Sequence, residues 1–422
     1  MQIDMIKSLI SKASANTFIR GGFIFTSASF LVSISNYLFN LLMARGFSLS
    51  NYGEYMSAFS YIAILTVPFS ALNVILINRI SRAKVEDRAA VAKAIESWIF
   101  ATLFAHKYQL LSIVILLFSF FYLTTNLLVV SMAFVLIAVL LNLFTTFYTS
   151  VLQAYKAFFI AGMFSLTFAL LKLFFGTGLV LYISKIEWIY GLIIVLSVLG
   201  SFAGSKLLLF KQKISAKKSI SFQPVQNYLL KKQVVLPTLT MLGIIGILNV
   251  DIIIVKHFFD AGQAGLYAGL SLLGKIILYA TGPLTLVSLT FFAGSEHSHN
   301  KKNILLFSAA LSIGIGLATG IIYYLFSDLV VRVVFGSKFV EIGQYVWLTA
   351  LFGSLYSVVS LLAQYALSKM KQYAAFSLVA LGAQILGLFI FHNSFYDVLI
   401  VNTAVLLCLT VFYGFCIVKN AK

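Results

Sequence analysis

The sequence predicts an all-α integral membrane protein with twelve transmembrane helices in two similarly oriented six-helix lobes. Three observations carry that expectation. Of the 422 residues, 61% are hydrophobic and only 10% are charged, where a soluble domain is roughly half apolar and a quarter charged. The apolar residues fall into runs of the length that a bilayer core about 30 Å thick requires, roughly 20 residues per helix. Lipid offers backbone amides no partner, so runs of this length must be helical. Finally, a short motif recurs at half the chain length.

Cutting the apolar runs where charge interrupts them gives spans at 20–44, 55–78, 108–125, 127–153, 157–182, 187–210, 233–256, 265–293, 304–327, 343–367, 372–392 and 395–418. The first run starts near Thr17 without the Ala-x-Ala pattern of a cleaved leader, and it reads as a retained helix. Polar segment 79–107 reads as a helical extension of the second and third spans. Segment 211–232, rich in Lys, Ser and Gln, lies at the chain midpoint. It reads as a cytoplasmic linker between an N-terminal lobe, 1–215, and a C-terminal lobe, 216–422.

Charge sets the orientation. Alternate connections hold 23 of the 30 Lys and Arg residues, while the opposite side holds five: Arg45, Lys185, Lys256, Arg332 and Lys338. Positive connections stay in the cytoplasm, which puts both termini there. The net charge of +18 therefore reports topology and affinity for anionic membrane lipids, and implies no nucleic-acid partner. Cys408 and Cys416 are too few for a disulfide framework or a metal site. The five histidines are scattered, and no Gly-x-x-x-x-Gly-Lys-Ser/Thr loop occurs. No catalytic constellation, metal site or cofactor is expected.

The repeat is Asn51-Tyr52-Gly53-Glu54-Tyr55 after the first span and Gln263-Ala264-Gly265-Leu266-Tyr267 after the seventh. Both open a helix with Gly-x-Tyr, 212 residues apart. Six spans separate them, so both units enter the membrane from the same side. The repeat is thus parallel, with a pseudo-twofold axis along the membrane normal.

A charge at bilayer depth costs several kcal/mol unless it faces protein or water. Lys172 lies 16 residues from Lys156 and 13 from Lys185, roughly 24 and 20 Å along a helix. It is either a cavity cation or half of a structural ion pair. Lys275 lies ten residues past Gly265, and the equivalent position of the other half is the uncharged Ala63. Asp251, with Asn249 beside it, either pairs with Lys275 across two helices or serves proton or sodium coupling. Arg20, followed by two glycines, opens the first span, where a guanidinium binds a diphosphate bidentately or merely anchors the helix. Together these residues suggest a cationic cavity for an anionic lipid headgroup.

Several of these segments resemble the polysaccharide-exporter and O-antigen flippase branch of the superfamily that also holds multidrug and toxin extruders and peptidoglycan-precursor flippases. The run Ala44-Arg45-Gly46 followed by Tyr52-Gly53-x-Tyr55 looks like that branch's first periplasmic turn. Its counterpart is Asn249-Val250-Asp251, then Gly262-x-x-Gly265-x-Tyr267, Lys275 and Pro283, and Val333 to Phe339 is similar to the segment after the ninth span. The resemblance implies a V-shaped pair of lobes, alternating access, and an undecaprenyl-diphosphate-linked oligosaccharide repeat unit carried across a bacterial inner membrane. A polysaccharide polymerase and a chain-length regulator are the implied partners. Peptidoglycan-precursor flippases have two further spans, which lowers that reading. Two other functions compete. A drug or cation antiporter of the same fold calls for acids in the cavity, and a membrane polysaccharide polymerase or ligase calls for a large outer loop.

Overall fold

The computed structural model describes residues 17–84, 87–155, 157–212, 232–293 and 298–419. The lobe boundary at 215/216 and most of the expected linker lie outside these residues. The N-terminal half comprises α1 (Thr17–Gly46), α2 (Leu49–Leu65), α3 (Val67–Arg82), α4 (Arg88–Ala105), α5 (Lys107–Thr124), α6 (Val129–Ala154), α7 (Phe158–Tyr182) and α8 (Ile186–Gln212). The C-terminal half comprises α9 (Lys232–Phe258), α10 (Ala261–Ala293), α11 (Ser298–Leu325), α12 (Ser327–Val334), a 3-10 segment (Ser337–Tyr345), α13 (Val346–Lys369), α14 (Lys371–Ala374), α15 (Phe376–Ile390) and α16 (Phe395–Lys419).

Among the described residues nine helices are long and apolar enough to cross a membrane, and the bent pairs α2/α3 and α4/α5 bring the number to eleven. The 15-residue apolar α15 stands in the twelfth place. The chain is a multi-pass membrane protein. Its large apolar side chains face outward, with Phe104, Phe174, Leu181, Leu317 and Leu386 all exposed, as a lipid-solvated surface requires.

Breaks in the helices have local causes where proline or glycine is present. The Ser48 hydroxyl caps α2 by accepting from the Asn51 amide at 3.2 Å. Between α2 and α3 the axis turns by 45°; Pro68, in the first turn of α3, has no amide to carry the ladder across. Gly336 adopts φ +89°, a left-handed conformation open to glycine at little cost, and so turns the chain between α12 and the 3-10 segment. Segment 79–107 departs from the expected extension. Helix α4 is a separate element bent by 70° from α5 at His106. Its Ala92, Ile95 and Ile99 join Leu76, Ile80, Phe147 and Val151 in a satellite core between α3 and α6.

Shifted by 212 residues, α1 falls on α9, α2 with α3 on α10, α6 on α13, α7 on α15 and α8 on α16. Packing follows the same plan. Helix α1 packs on α7 as α9 packs on α15, and α6 packs on α8 as α13 packs on α16. The halves meet chiefly where α2 lies against α9 and α10, supplemented by α1 on α10 and α3 on α9. Gly53 and Gly265 touch at this junction: a Cβ on Gly53 would stand 2.7 Å from the Gly265 nitrogen, and one on Gly265 would strike the Leu49 carbonyl oxygen. Equivalent ends of the two units therefore lie at one membrane face, the arrangement of a parallel rather than an inverted repeat. Small residues are what let helices approach this closely in lipid.

Candidate functional site

Around Gly53 and Gly265 the halves are sealed to each other. Glu54 and Lys256 form a buried ion pair at 2.9 Å between α2 and α9, and the second Glu54 oxygen accepts from the Leu128 amide at 2.7 Å. Breaking a buried pair leaves one charge uncompensated, at a cost of about 3–5 kcal/mol. Two further cations cross in opposite directions. Arg45 donates from Nε to the Val334 carbonyl at 2.8 Å and from Nη2 to that of Val333, while Lys338 donates to the carbonyls of Arg45 and Phe47 at 3.1 and 3.2 Å. Asn126 donates to the His257 carbonyl at 2.9 Å, and Tyr52 meets Phe339 edge-on at 5.9 Å. The sequence reading assigned Glu54 and Lys256 to connections outside the bilayer, but the structure buries both. Glu54 stands inside the Gly-x-Tyr motif, and its occurrence there was the available signal.

Further along the C-terminal half runs a polar network enclosed by apolar helices. Asp251 on α9 accepts from the Tyr267 hydroxyl at 2.7 Å, from Asn402 Nδ2 at 3.2 Å and from the Ile252 amide at 2.8 Å. Asn402 also donates to the Tyr267 oxygen at 3.0 Å. Gln384 on α15 donates to Asn402 Oδ1 at 2.7 Å and to the Ile247 carbonyl at 3.1 Å, leaving its own Oε1 without a partner. Lys275 on α10 reaches Asn249 Oδ1 at 3.3 Å, and the Asn249 amide donates to the Ile245 carbonyl at 2.8 Å. The structure thus brings three of the five sequence-expected residues, Lys275, Asn249 and Asp251, into one neighbourhood, all buried. The Lys275 ammonium nevertheless bonds to Asn249, and the carboxylate is taken by Tyr267 and Asn402. Neither Gln384 nor Asn402 carries a charge, so the search for charged residues in spans missed both.

The N-terminal half holds a weaker copy. Tyr55, 212 residues before Tyr267, donates to Asn40 Oδ1 at 2.8 Å. Lys172, 212 residues before Gln384, is half-buried on the face of α7 turned to α1. It donates to Asn36 Oδ1 and lies 4.8 Å over the Phe39 ring, a cation–π contact. It is sheltered by protein as an intramembrane lysine must be, though its partner is an amide. Arg20 lies on α1, and its side chain is outside the described residues.

Between the halves lies a cavity of about 340 Å³, lined by α1 around Ser29 and Ser33, α9 around Thr240 and Ile245, α10 around Tyr279 and Thr281, and α13 around Ser360 and Gln364. Its described lining holds hydroxyls, one amide and apolar groups, and no charged side chain. Tyr279 and Ile245 stand at the cavity, one helical turn from Lys275 and Asn249 respectively. The buried network therefore begins where the cavity ends. Tyr37 and Tyr279, one from each half, pair across it with ring centres 5.5 Å apart.

No protein-family model and no curated protein sequence matches the chain. Solved structures do. The chain is similar to the lipid II flippase MurJ in its inward closed conformation, at TM-score 0.69 and 16% identity, with 94% of this chain and 87% of that one covered. It is also similar to the MATE multidrug transporter DinF-BH, at 0.60 and 13%, with 94% of each covered. A MOP superfamily transporter from Pyrococcus furiosus gives 0.56 and 16%, with 96% of each covered. The two-lobed, all-helical fold of the chain is the one that these MOP-superfamily transporters share.

Proposed function

We propose that the chain is a flippase that moves an undecaprenyl-diphosphate-linked oligosaccharide repeat unit of the O-antigen type from the cytoplasmic to the periplasmic leaflet of a bacterial inner membrane. The observation that carries this reading is the division of the inter-half surface. One end is sealed by Glu54–Lys256, Arg45 and Lys338, and a polar cavity occupies the same interface further along. Two rigid halves joined this way can exchange the sealed end for the open one by rocking. The positive-inside count makes the sealed end periplasmic, so the chain is in the state that receives cargo from the cytoplasm, with both termini on that side.

Likeness to a lipid II flippase and to a multidrug transporter leaves a cation antiporter as the second reading. The described cavity wall offers no carboxylate to attract a cation, and that favours the lipid-linked sugar. Lys172, Lys275 and Arg20 are then assigned to attraction of the diphosphate, and Asp251 with Asn249 to proton or sodium coupling. A polymerase and a chain-length regulator act on the product.

Depletion of the protein followed by fractionation of lipid-linked repeat units tests the reading. Accumulation of complete units on the cytoplasmic leaflet is expected. Undiminished export would eliminate the flippase.

A further inference from the structure

The cavity wall has a hydrogen-bonding character of its own. Each Ser, Thr or Tyr hydroxyl offers one donor and two acceptor positions. In this wall the donors are already spent on the protein. Ser33 donates to the Ser29 carbonyl at 3.0 Å, Thr240 to that of Leu236 at 2.9 Å, Thr281 to that of Ile277 at 2.8 Å, Thr285 to that of Thr281 at 3.3 Å, and Tyr356 to that of Ile244 at 3.0 Å. What these groups present to the cavity is lone pairs. The Gln364 amide oxygen, buried in the same wall, accepts from nothing.

A surface of lone pairs selects its ligand. An anion meets acceptors and no described cation, which is repulsive. A cation meets dipoles but no carboxylate, and a desolvated charge without a counter-charge is costly. A neutral polyol brings many O–H donors, the groups this wall lacks. The volume lies within the 300–1,000 Å³ range of small-molecule sites, and the Tyr37–Tyr279 pair adds an aromatic face against which a sugar's C–H edge can pack.

We propose that this cavity is the subsite for an uncharged sugar of the cargo, held by hydroxyl donation to Gln364 Oε1 and the Ser/Thr oxygens, and that it discriminates against acidic sugars. The inference rests on the flippase reading. It adds that the glycan's contact with this wall is neutral while the diphosphate is held elsewhere.

The full chain in detergent is titrated with two synthetic farnesyl-diphosphate-linked disaccharides, one neutral and one ending in a uronic acid. The neutral probe is expected to bind at least about tenfold tighter. Gln364→Leu lowers its affinity about tenfold, the value of one hydrogen bond to a neutral group, and Gln364→Lys shifts preference toward the acidic probe. Monodisperse elution of both variants shows that they fold; a variant that aggregates is replaced by Gln364→Asn, expected to weaken the neutral probe less. Equal or tighter binding of the acidic probe by the natural chain overturns the subsite while leaving the flippase reading intact. So does an unchanged affinity in folded Gln364→Leu. Failure of both probes to bind overturns the flippase reading beneath it.

Discussion

Gly53 and Gly265 occupy equivalent positions of the two halves and lie against each other, so close that a methyl on the first would sit 2.7 Å from the backbone nitrogen of the second. The contact marks the pseudo-twofold axis and the point about which the halves are joined. Its tolerance for added atoms is small on both sides, because backbone on the far side cannot rotate away. Gly265→Ala is expected to destabilise this junction by about 1–3 kcal/mol, read as a lower thermal unfolding midpoint and greater thiol accessibility of a cysteine placed at Tyr52. A variant as stable and as closed as the natural chain would move the axis elsewhere.

Next to that contact, Glu54 and Lys256 hold the halves together by charge. Glu54→Gln leaves the Lys256 ammonium buried without its partner, weakening the sealed state by about 3–5 kcal/mol. The exchange Glu54→Lys with Lys256→Glu keeps one pair and is expected to restore part of the loss. Distance distributions between spin labels on α2 and α10 report the populations. Unaltered distributions in Glu54→Gln would show that the pair does not govern closure.

Lys172 and Lys275 each bond to an asparagine, which leaves their positive charge unneutralised by that contact. Substitution of either by Ala is expected to lower export about tenfold or more, the scale of a hydrogen bond to a charged group, with expression preserved. Arg keeps the charge and retains part of the export. Export at the natural level from both Ala variants would remove these lysines from the transport path.

Asp251 is held by Tyr267, Asn402 and the Ile252 amide. Asn is nearly isosteric and still accepts from Tyr267, so Asp251→Asn tests the charge with little loss of structure. Transport by the variant is expected to lose its dependence on an imposed proton or sodium gradient. If the variant responds to both gradients as the natural chain does, Asp251 is a structural acceptor only.

The fold was legible because its signals are local. Apolar run length fixes a span wherever it occurs, and the Gly-x-Tyr pair exposes the repeat without knowledge of any contact. Segment 79–107 was misread since the break at His106 involves neither proline nor glycine. Charged residues within spans stand out against apolar neighbours, so Lys275 and Asp251 were found. Gln384 and Asn402, buried beside Asp251, look like ordinary helix residues until α15 and α16 are packed on α9. Glu54 and Lys256 lie close to span ends in sequence, and only the meeting of α2 with α9 shows that both are enclosed. The cavity wall was the least legible part, because a serine that faces a cavity and one that faces lipid both bond to their own helix.

Translocation by the purified chain is the central claim. The direct measurement is reconstitution into liposomes containing a fluorescent undecaprenyl-diphosphate oligosaccharide, with the fraction quenched by an impermeant reductant followed over time. Protein-dependent quenching beyond the outer-leaflet fraction, lost in Lys275→Ala, is the result expected of a flippase. Quenching that stops at the outer-leaflet fraction in liposomes shown to contain folded protein would contradict it.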